Sequence, residues 1–593
     1  MITEPMTQSE FDNPPETMAD LESSPAKAFY RGEILKSAFW PYPRIDAGQA
    51  ELLGMIVDSV DRFLDDNREL FGAWDKSGEH PEEFINGLRE LGLFGLIIPE
   101  EYGGIGLSNA GYARVLQQSS RYDSSASLTI GAHSSIGMKG LLLFGTEEQK
   151  NRYLPALATG EQIAAFCLTE PASGSDAASV KTTAAANADG SWTLNGEKIW
   201  ITNGGIADFY TVFARTEGGG KMSAFIVERG WSGVSAGKKE DKLGIRASST
   251  TTVSFSDVRI PPGNLLGEQG KGFKIAMAIL NNGRTGLGGA AVGGMKTCIT
   301  LAAKQANERK QFGRSIAEFG LIRKKIAAMT VDCFAAESAV WMVAHYIDSG
   351  HTDYSTEAAM SKVFASEAMF RVANEALQIA AGNGYMTEFP YERFMRDSRI
   401  LTIFEGTSEI LRLFIALSGM RDAGTLLEDL KLAADDIFNN PIKGFGLLAD
   451  YAGRRIGNLT TVGQERIVAS APEELRDDAL IFEKYTLELA RMTDVLLRRH
   501  GKNIVEKQFA LERAANVGID LFVGLSVLSR VSCMDSDDSE QYQQALSIAH
   551  MFSQQAKRRM NRNLRAMLRN EDESAKSLAS FISAKEEYPW DIL

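Results

Sequence analysis

Cysteine is scarce and scattered: four residues in 593, at 167, 298, 333 and 533, with no CxxC pair and no Cys/His spacing. Neither a disulfide framework nor a zinc site is indicated, and no metal is expected. An excess of basic charge is missing too. The net charge is −14 and the pI near 5.2, which argues against nucleic acid as a partner. No uninterrupted apolar run reaches about 18 residues, so the sequence offers no transmembrane helix. Residues 1–26 hold no Lys or Arg but carry Glu4, Glu10, Asp12, Glu16, Asp20 and Glu22, the opposite of a signal or transit peptide. Residues 1–25 read as a disordered acidic tail, and the compartment as reducing and cytoplasmic.

What is present is an ordinary globular composition, 44% hydrophobic and 24% charged, long enough for several cores. From 26 to 165 the apolar spacing is helical, as in Leu52-Leu53-Met55-Ile56-Val60-Phe63-Leu64. Texture changes at 166. Asn195-Gly196 reads as a hairpin turn, followed by strands at Lys198–Thr202, Phe209–Phe213, Ser223–Val227 and Thr251–Phe255. The block 166–272 is expected to be a small antiparallel barrel or sandwich. Helical periodicity returns over 273–435, breaks at a linker over 436–463, and resumes in an appendage over 464–593. The fold class is therefore α+β, mostly α.

Ile403-Phe-Glu-Gly-Thr-Ser-Glu-Ile-Leu411 sets a carboxylate, Glu405, beside a glycine at the mouth of a predicted helix. Thr407 is the expected N-cap, and Ile410, Leu411, Leu413 and Phe414 the buried stripe. Most glutamates so placed only favour the helix dipole, whereas one held out of water is a candidate base. Leu168-Thr-Glu-Pro-Ala-Ser-Gly-Ser-Asp176 combines turn formers and hydroxyls that suit a pyrophosphate or a flavin edge, although a plain polar turn has the same composition. Strict alternation in Lys198–Thr202 puts Trp200 and Thr202 on one face and Ile199 and Ile201 on the other; Trp200 is a stacking wall or simply core. Arg309-Lys-Gln-Phe-Gly313 ends a helix expected to begin near Met295, and Gln378–Tyr385 is a helix end collapsing into glycines. Asn282-Gly-Arg284 offers a cation that suits an acyl carrier's phosphates.

In order and spacing these motifs resemble the acyl-CoA dehydrogenase family over residues 30–430. Leu168–Asp176, Trp200-Ile-Thr-Asn-Gly204, Arg309–Gly313, Gln378–Tyr385 and Phe404-Glu-Gly-Thr407 carry the likeness. The long appendage, Asn282-Gly-Arg284, Phe319-Gly-Leu-Ile322 and Ile410-Leu-Arg-Leu-Phe414 place it nearest the very-long-chain branch. The resemblance implies a helical N-terminal domain, a middle β domain, a four-helix C-terminal bundle and an extra helical domain. It implies the first step of fatty acid β-oxidation, in which a long or very long acyl-CoA becomes the trans-2-enoyl-CoA. Glu405 would take the α-proton and N5 of FAD the β-hydride.

By the same resemblance Phe166, Leu168 and Thr169 lie on the flavin, Gly174 and Ser175 at the pyrophosphate, and Trp200 and Thr202 at the ring. Arg309, Gln311, Phe312, Gln378 and Gly382 would hold the ADP half of FAD on the other subunit of a homodimer. Thr407 and Glu409 would complete the cofactor contacts. Ser175, Ser223, Phe225, Arg284 and Gly406 would face substrate, with Ser223, Phe225 and Arg284 along the CoA arm. Some relatives place the base near Arg284 instead, but residues 275–288 contain no Asp or Glu. Gly103–Gly106 and Ser134–Gly137 are expected near the base of the acyl slot. The expected electron acceptor is an electron-transfer flavoprotein. Phe445–Ile456 is a candidate interfacial helix for peripheral membrane contact. The alternatives are an acyl-CoA oxidase and a flavoprotein assembly factor with little turnover.

Overall fold

The computed structural model describes residues 24–45, 47–216, 221–435, 467–535 and 539–592. The acidic stretch before residue 24 and the 436–463 linker with its candidate interfacial helix lie outside them. Two compact units emerge, one built on Pro41–Ile410 and one on Ser23–Trp40 with Leu411–Leu593.

In the first unit, short polar caps start the N-terminal helices. Ser108 Oγ accepts from Gly111 N at 3.1 Å to open Asn109–Ser119, and Asp123 accepts from Ala126 N at 2.7 Å to open Ser124–Gly131. Thr146 and Gln149 form a reciprocal capping box before Glu147–Thr159. Ser124–Gly131 continues into a π-helical turn, Ala132–Gly137, a wide turn often found at functional sites.

The middle of this unit is one sheet of eight strands, β1 (Ala164–Cys167), β2 (Thr183–Ala186), β3 (Trp192–Thr202), β4 (Phe209–Thr216), β5 (Met222–Glu228), β6 (Val234–Lys239), β7 (Thr250–Ile260) and β8 (Leu265–Leu266). The order is β6-β7-β3-β2-β4-β5-β8, with β1 pairing β4. Most pairs are antiparallel, but β1 and β2 both run parallel to β4, at Phe209–Val212 and Arg215–Thr216. The segment 168–182 therefore loops out between two strands that share one edge of β4.

Side chains of β4 and β5 alternate between two cores. Tyr210, Val212, Phe225 and Val227 join Leu88, Leu116 and Ile130, while Phe209, Phe213, Ala224 and Ile226 join Leu154, Leu157 and Ile279. A sheet buried on both faces explains why these strands read as nearly unbroken apolar runs.

Asn195-Gly196 is not a turn. β3 runs through it with a register shift, Asn195 pairs side chain to main chain with Asp257 N at 2.8 Å, and Thr182 fills the space where a β-carbon of Gly196 would stand. The reversal into β3 comes earlier, at Asp189-Gly190, where Gly190 has φ 82°.

Past the sheet, Gly272–Glu308 is one unbroken helix rather than one starting near Met295. Its glycines mislead a propensity reading. Gly289 and Gly293 lie against the backbone of Ala113 and Gln117, so even a methyl group there would collide. Gly320–Asp348 and Ser355–Ala380 pack with it, and Ser408–Asp435 follows the Glu405 loop.

In the second unit, Ser24 caps a helical turn beginning at Pro25, so the last two residues of the stretch assigned to the tail belong to a helix and its cap. Tyr30 donates to Ala514 O at 3.4 Å and Phe39 packs on Phe522, which ties Ser23–Trp40 to this unit and not to the helices that follow it in sequence. Arg476–His500, Gln508–Ser532 and Ser539–Leu568 form its core, joined across by Arg559 and Asp520 at 2.7 Å. Gln508–Ser532 is long and apolar enough to cross a membrane on length alone, but here it is the buried centre of the bundle.

Candidate active site

Glu405 lies between a 3-10 turn, Arg399–Thr402, and the helix Ser408–Asp435. Chain reversal there is tight: Glu405 has φ 54° and Gly406 φ 97°. A left-handed glutamate costs on the order of 1–3 kcal/mol, so surrounding contacts must enforce it. Two do. Thr407 Oγ1 accepts from Ile410 N at 3.3 Å as the expected N-cap, and Lys362 Nζ donates to Gly406 O at 2.8 Å from the helix Ser355–Ala380.

The reversal aims the carboxylate inward. Although the residue is half-buried, its Oε2 is sealed from water and has no hydrogen-bond partner. Gly283 faces it: a β-carbon there would stand 3.5 Å from Glu405 Oε2, 3.0 Å from Ile136 and 3.6 Å from Ser135 Oγ. The acid-free window 275–288 thus presents bare backbone to this carboxylate. Ser135 and Ile136, expected near the base of the acyl slot, neighbour the same glycine.

Burial pushes the Glu405 carboxyl above the usual carboxylate range, and the charges of Arg284 and Lys362 pull it back. Burial in turn lowers Arg284 to about 10 and Lys362 to about 8. Tyr112, filling the space beside Gly286, is raised mainly by burial and also feels the Glu405 charge. An unpartnered carboxylate facing bare backbone, with two cations acting on it, is what a proton acceptor for a bound ligand requires.

A second feature is the loop between β1 and β2. Its anchor is a buried ion pair: Lys198 Nζ lies 2.7 Å from Glu170 Oε1 and also donates to Leu168 O at 3.2 Å. Glu170 further accepts from Thr182 N at 3.0 Å and from Lys181 N. Thr169 O accepts from Ile199 N at 2.9 Å, tying the loop to β3. Above this anchor Gly174, Ser175 and Asp176 are exposed, and a β-carbon at Gly174 would meet open space.

Strict alternation fails in this part of β3. A bulge between Lys198 and Ile201 buries both of those side chains and turns Trp200 outward at φ 56°, with 64% of its surface exposed. Thr202 is half-buried, as is Phe166, whose ring lies 5.1 Å from Phe213; Leu168 is buried. A bare indole on a bulge beside an open Gly-Ser loop fits a planar cofactor with a pyrophosphate.

A third group lies on exposed backbone. Lys310–Gln311 and Arg314–Ser315 form a hairpin whose turn, Phe312-Gly313, has φ 50° and 80° and leaves Phe312 93% exposed. Arg309, Gln311, Gln378 and Gly382 are exposed as well, and so is Glu409.

Three residues expected to face substrate are buried. Ser223 is fully buried, with its hydroxyl taken by Gly270 N at 2.8 Å and Thr216 Oγ1 at 3.2 Å. Phe225 is fully buried against Trp192. Period two in β5 puts both side chains on the same inward-turned face. Arg284 is only 6% exposed, donates to Asn281 Oδ1 at 2.5 Å and interacts electrostatically with Glu405. Lys362, Tyr112 and the Glu170–Lys198 pair escaped the sequence reading. A lone lysine inside Ala358-Ala-Met-Ser-Lys-Val-Phe-Ala365 was the available sign, since lysine is rarely buried without a partner.

Family models match the chain in order: Acyl-CoA dehydrogenase, N-terminal domain, at 51–161; the middle domain at 165–258; and the C-terminal domain at 270–420. A fourth, ACAD9/ACADV, C-terminal domain, matches 473–588. The mitochondrial very long-chain specific acyl-CoA dehydrogenase of Homo sapiens is 44% identical over 520 residues, covering 86% of this chain and 78% of that protein. Among solved structures, an acyl-CoA dehydrogenase complexed with FAD from Bacillus anthracis has TM-score 0.77 and 32% identity over 95% of this chain and 96% of that one. Butyryl-CoA dehydrogenase of Megasphaera elsdenii has TM-score 0.61 and 37% identity, covering 63% of this chain and 98% of its own.

Proposed function

This chain belongs to the acyl-CoA dehydrogenase family, and on that premise we propose that Glu405 is the base of an FAD-dependent α,β-dehydrogenation of long or very long fatty acyl-CoA. The observation that carries this role is the sealed, unpartnered Oε2 facing Gly283. Ionised in a dry slot, the carboxylate removes the α-proton of a thioester whose carbonyl takes up developing negative charge, for which the backbone N–H of Glu405 would be a donor. FAD, when bound, would supply the acceptor for the β-hydride.

Trp200 and Thr202 would face the flavin ring, Phe166, Leu168 and Thr169 its edge, and Gly174 and Ser175 the pyrophosphate. Arg309, Gln311, Phe312, Gln378 and Gly382 would serve the ADP half of FAD in a second copy of the chain, because all five are solvent-exposed in one copy. A homodimer is therefore part of this proposal. Thr407 and Glu409 would complete the cofactor contacts, and Gly406 would approach the thioester. An acyl-CoA substrate and an electron-transfer flavoprotein as acceptor are consistent with the family; the oxidase and assembly-factor alternatives are not favoured. We place the enzyme in a cytoplasm-like reducing compartment, supported by four cysteines outside any disulfide. Peripheral membrane contact through 443–459 is kept as a proposal, checked by liposome flotation before and after deletion of that segment. For organisation we keep a helical domain to 165, a β domain to 272, a helical bundle to 435 and a further helical domain from 464.

The test is anaerobic bleaching of the purified flavoprotein by palmitoyl-CoA, with the trans-2-enoyl-CoA identified as product and a C4 to C20 series run alongside. Highest turnover with the longer chains is expected. A flavin that stays oxidised with every chain length would overturn the reading.

A further inference from the structure

Lys362 sits in the middle of the helix Ser355–Ala380 among Ala359, Met360, Val363 and Ala365, and none of its surface is exposed. An ammonium so enclosed must be offset by specific partners. One is the Gly406 carbonyl, 2.8 Å from Nζ and 44 residues away in sequence. A neutral carbonyl alone does not compensate a buried charge, and among the carboxylates that favour the charged lysine Glu405 acts most strongly, ahead of Glu367 and Glu409. The bonded carbonyl belongs to the left-handed pair Glu405–Gly406, the strained reversal that points the carboxylate at Gly283.

We propose that Lys362 is a positioning residue for the reaction: its ammonium pins the Gly406 carbonyl, fixing the Glu405–Gly406 reversal, and stands as the buried counter-charge that keeps Glu405 ionised. This rests on the reading of Glu405 as the base. A lysine that merely filled the core would meet neither requirement, since methionine would pack there without a charge to compensate.

The charged groups around Lys362 are Glu405, Arg284 from the glycine-rich helix, Glu367 on its own helix and Glu409 on the next; Tyr112 faces Glu405 from the helix Asn109–Ser119. Burial brings Lys362 down to about 8 while Arg284 stays at about 10. Because the lysine value is lowered, its positive form disappears as pH rises through about 8. Glu405 then loses one of its two counter-charges and its own value climbs. Activity therefore needs Glu405 ionised and Lys362 charged, and the alkaline limb belongs to the lysine.

The experiment is the pH profile of anaerobic flavin reduction by palmitoyl-CoA in the holoenzyme and in Lys362→Met, Lys362→Arg and Lys362→Gln, with FAD content and Tm measured for each. In the parent enzyme the alkaline limb should fall near 8. Lys362→Arg should lose that limb and keep the acid one. Lys362→Met should lose it, move its acid limb upward and slow about tenfold or more at pH 7. Lys362→Gln retains a donor for Gly406 without charge, so it should match Lys362→Met in its limbs while losing less rate. Where Lys362→Met does not fold, the arginine and glutamine variants decide the matter. Parent limbs persisting in every folded variant, with only Tm lowered, would overturn the proposal. Glu405→Gln is run alongside: activity surviving there would instead overturn the reading of the base.

Discussion

Two glutamates in the first unit are each taken out of water beside a lysine, and their fates differ. Glu170 accepts from Lys198 and from two backbone N–H groups, and although burial works to raise its carboxyl, those bonds more than reverse it and leave it below the usual range. Glu405 has an oxygen with no partner, its lysine spends its hydrogen bond on Gly406, and its carboxyl lies above the usual range. Burial near a cation therefore does not mark a reactive carboxylate. An unspent acceptor does, because a group whose lone pairs are all engaged has little left for a substrate proton.

The contrast predicts effects of different size and kind. Glu405→Gln should lower the rate of α-proton removal by up to about 10⁴-fold with FAD retained and Tm little changed, read by rapid mixing with palmitoyl-CoA. Glu170→Ala leaves a buried lysine without its counter-charge and should cost about 3–5 kcal/mol of stability, seen in denaturant unfolding together with weaker FAD retention. Replacing both members, as Glu170→Leu with Lys198→Met, should cost less than the sum of the single changes. Gly283→Ala puts a methyl group about 3.5 Å from Glu405 Oε2 and should slow turnover about tenfold while stability moves little, a split read from kcat/KM against Tm. Thr407→Ala removes one cap bond and should cost about 1 kcal/mol.

Acid separates the pair as well. The Glu405 value is raised, so its ionised form, and with it activity, is lost as pH falls through a midpoint above the ordinary carboxylate range. The Glu170 value is depressed, so the stability it contributes is present above its unfolded value and goes only as pH falls through the lower folded one. Activity should therefore disappear at a higher pH than the fold, and coincident loss of the two would break the comparison.

Local signals were legible in the sequence where the chain itself enforces them. Thr407 caps its helix, Glu405 sits at the mouth, and the change of texture near 166 marks the sheet. Pairings across long separations were not. Nothing near residue 362 announces Gly406, and nothing in β1 or β2 announces a parallel register on β4. Two local readings also misled. Asn195-Gly196 has turn chemistry but serves close packing on Thr182, and the helix expected to begin near Met295 runs back to Gly272 because its glycines admit neighbouring elements. In both places tertiary contact decides what the glycine is for. Trp200 and Phe312 were named from the sequence, but their exposure shows only in the structure, where left-handed backbone holds each aromatic ring in solvent.

The most direct test of Glu405 as the proton acceptor is washout of deuterium from the α-carbon of α,α-dideuterated palmitoyl-CoA on the holoenzyme, followed against pH. Exchange should rise through a midpoint above the ordinary glutamate value and should be essentially absent in Glu405→Gln at every pH. Undiminished exchange in Glu405→Gln would mean that another group takes the proton.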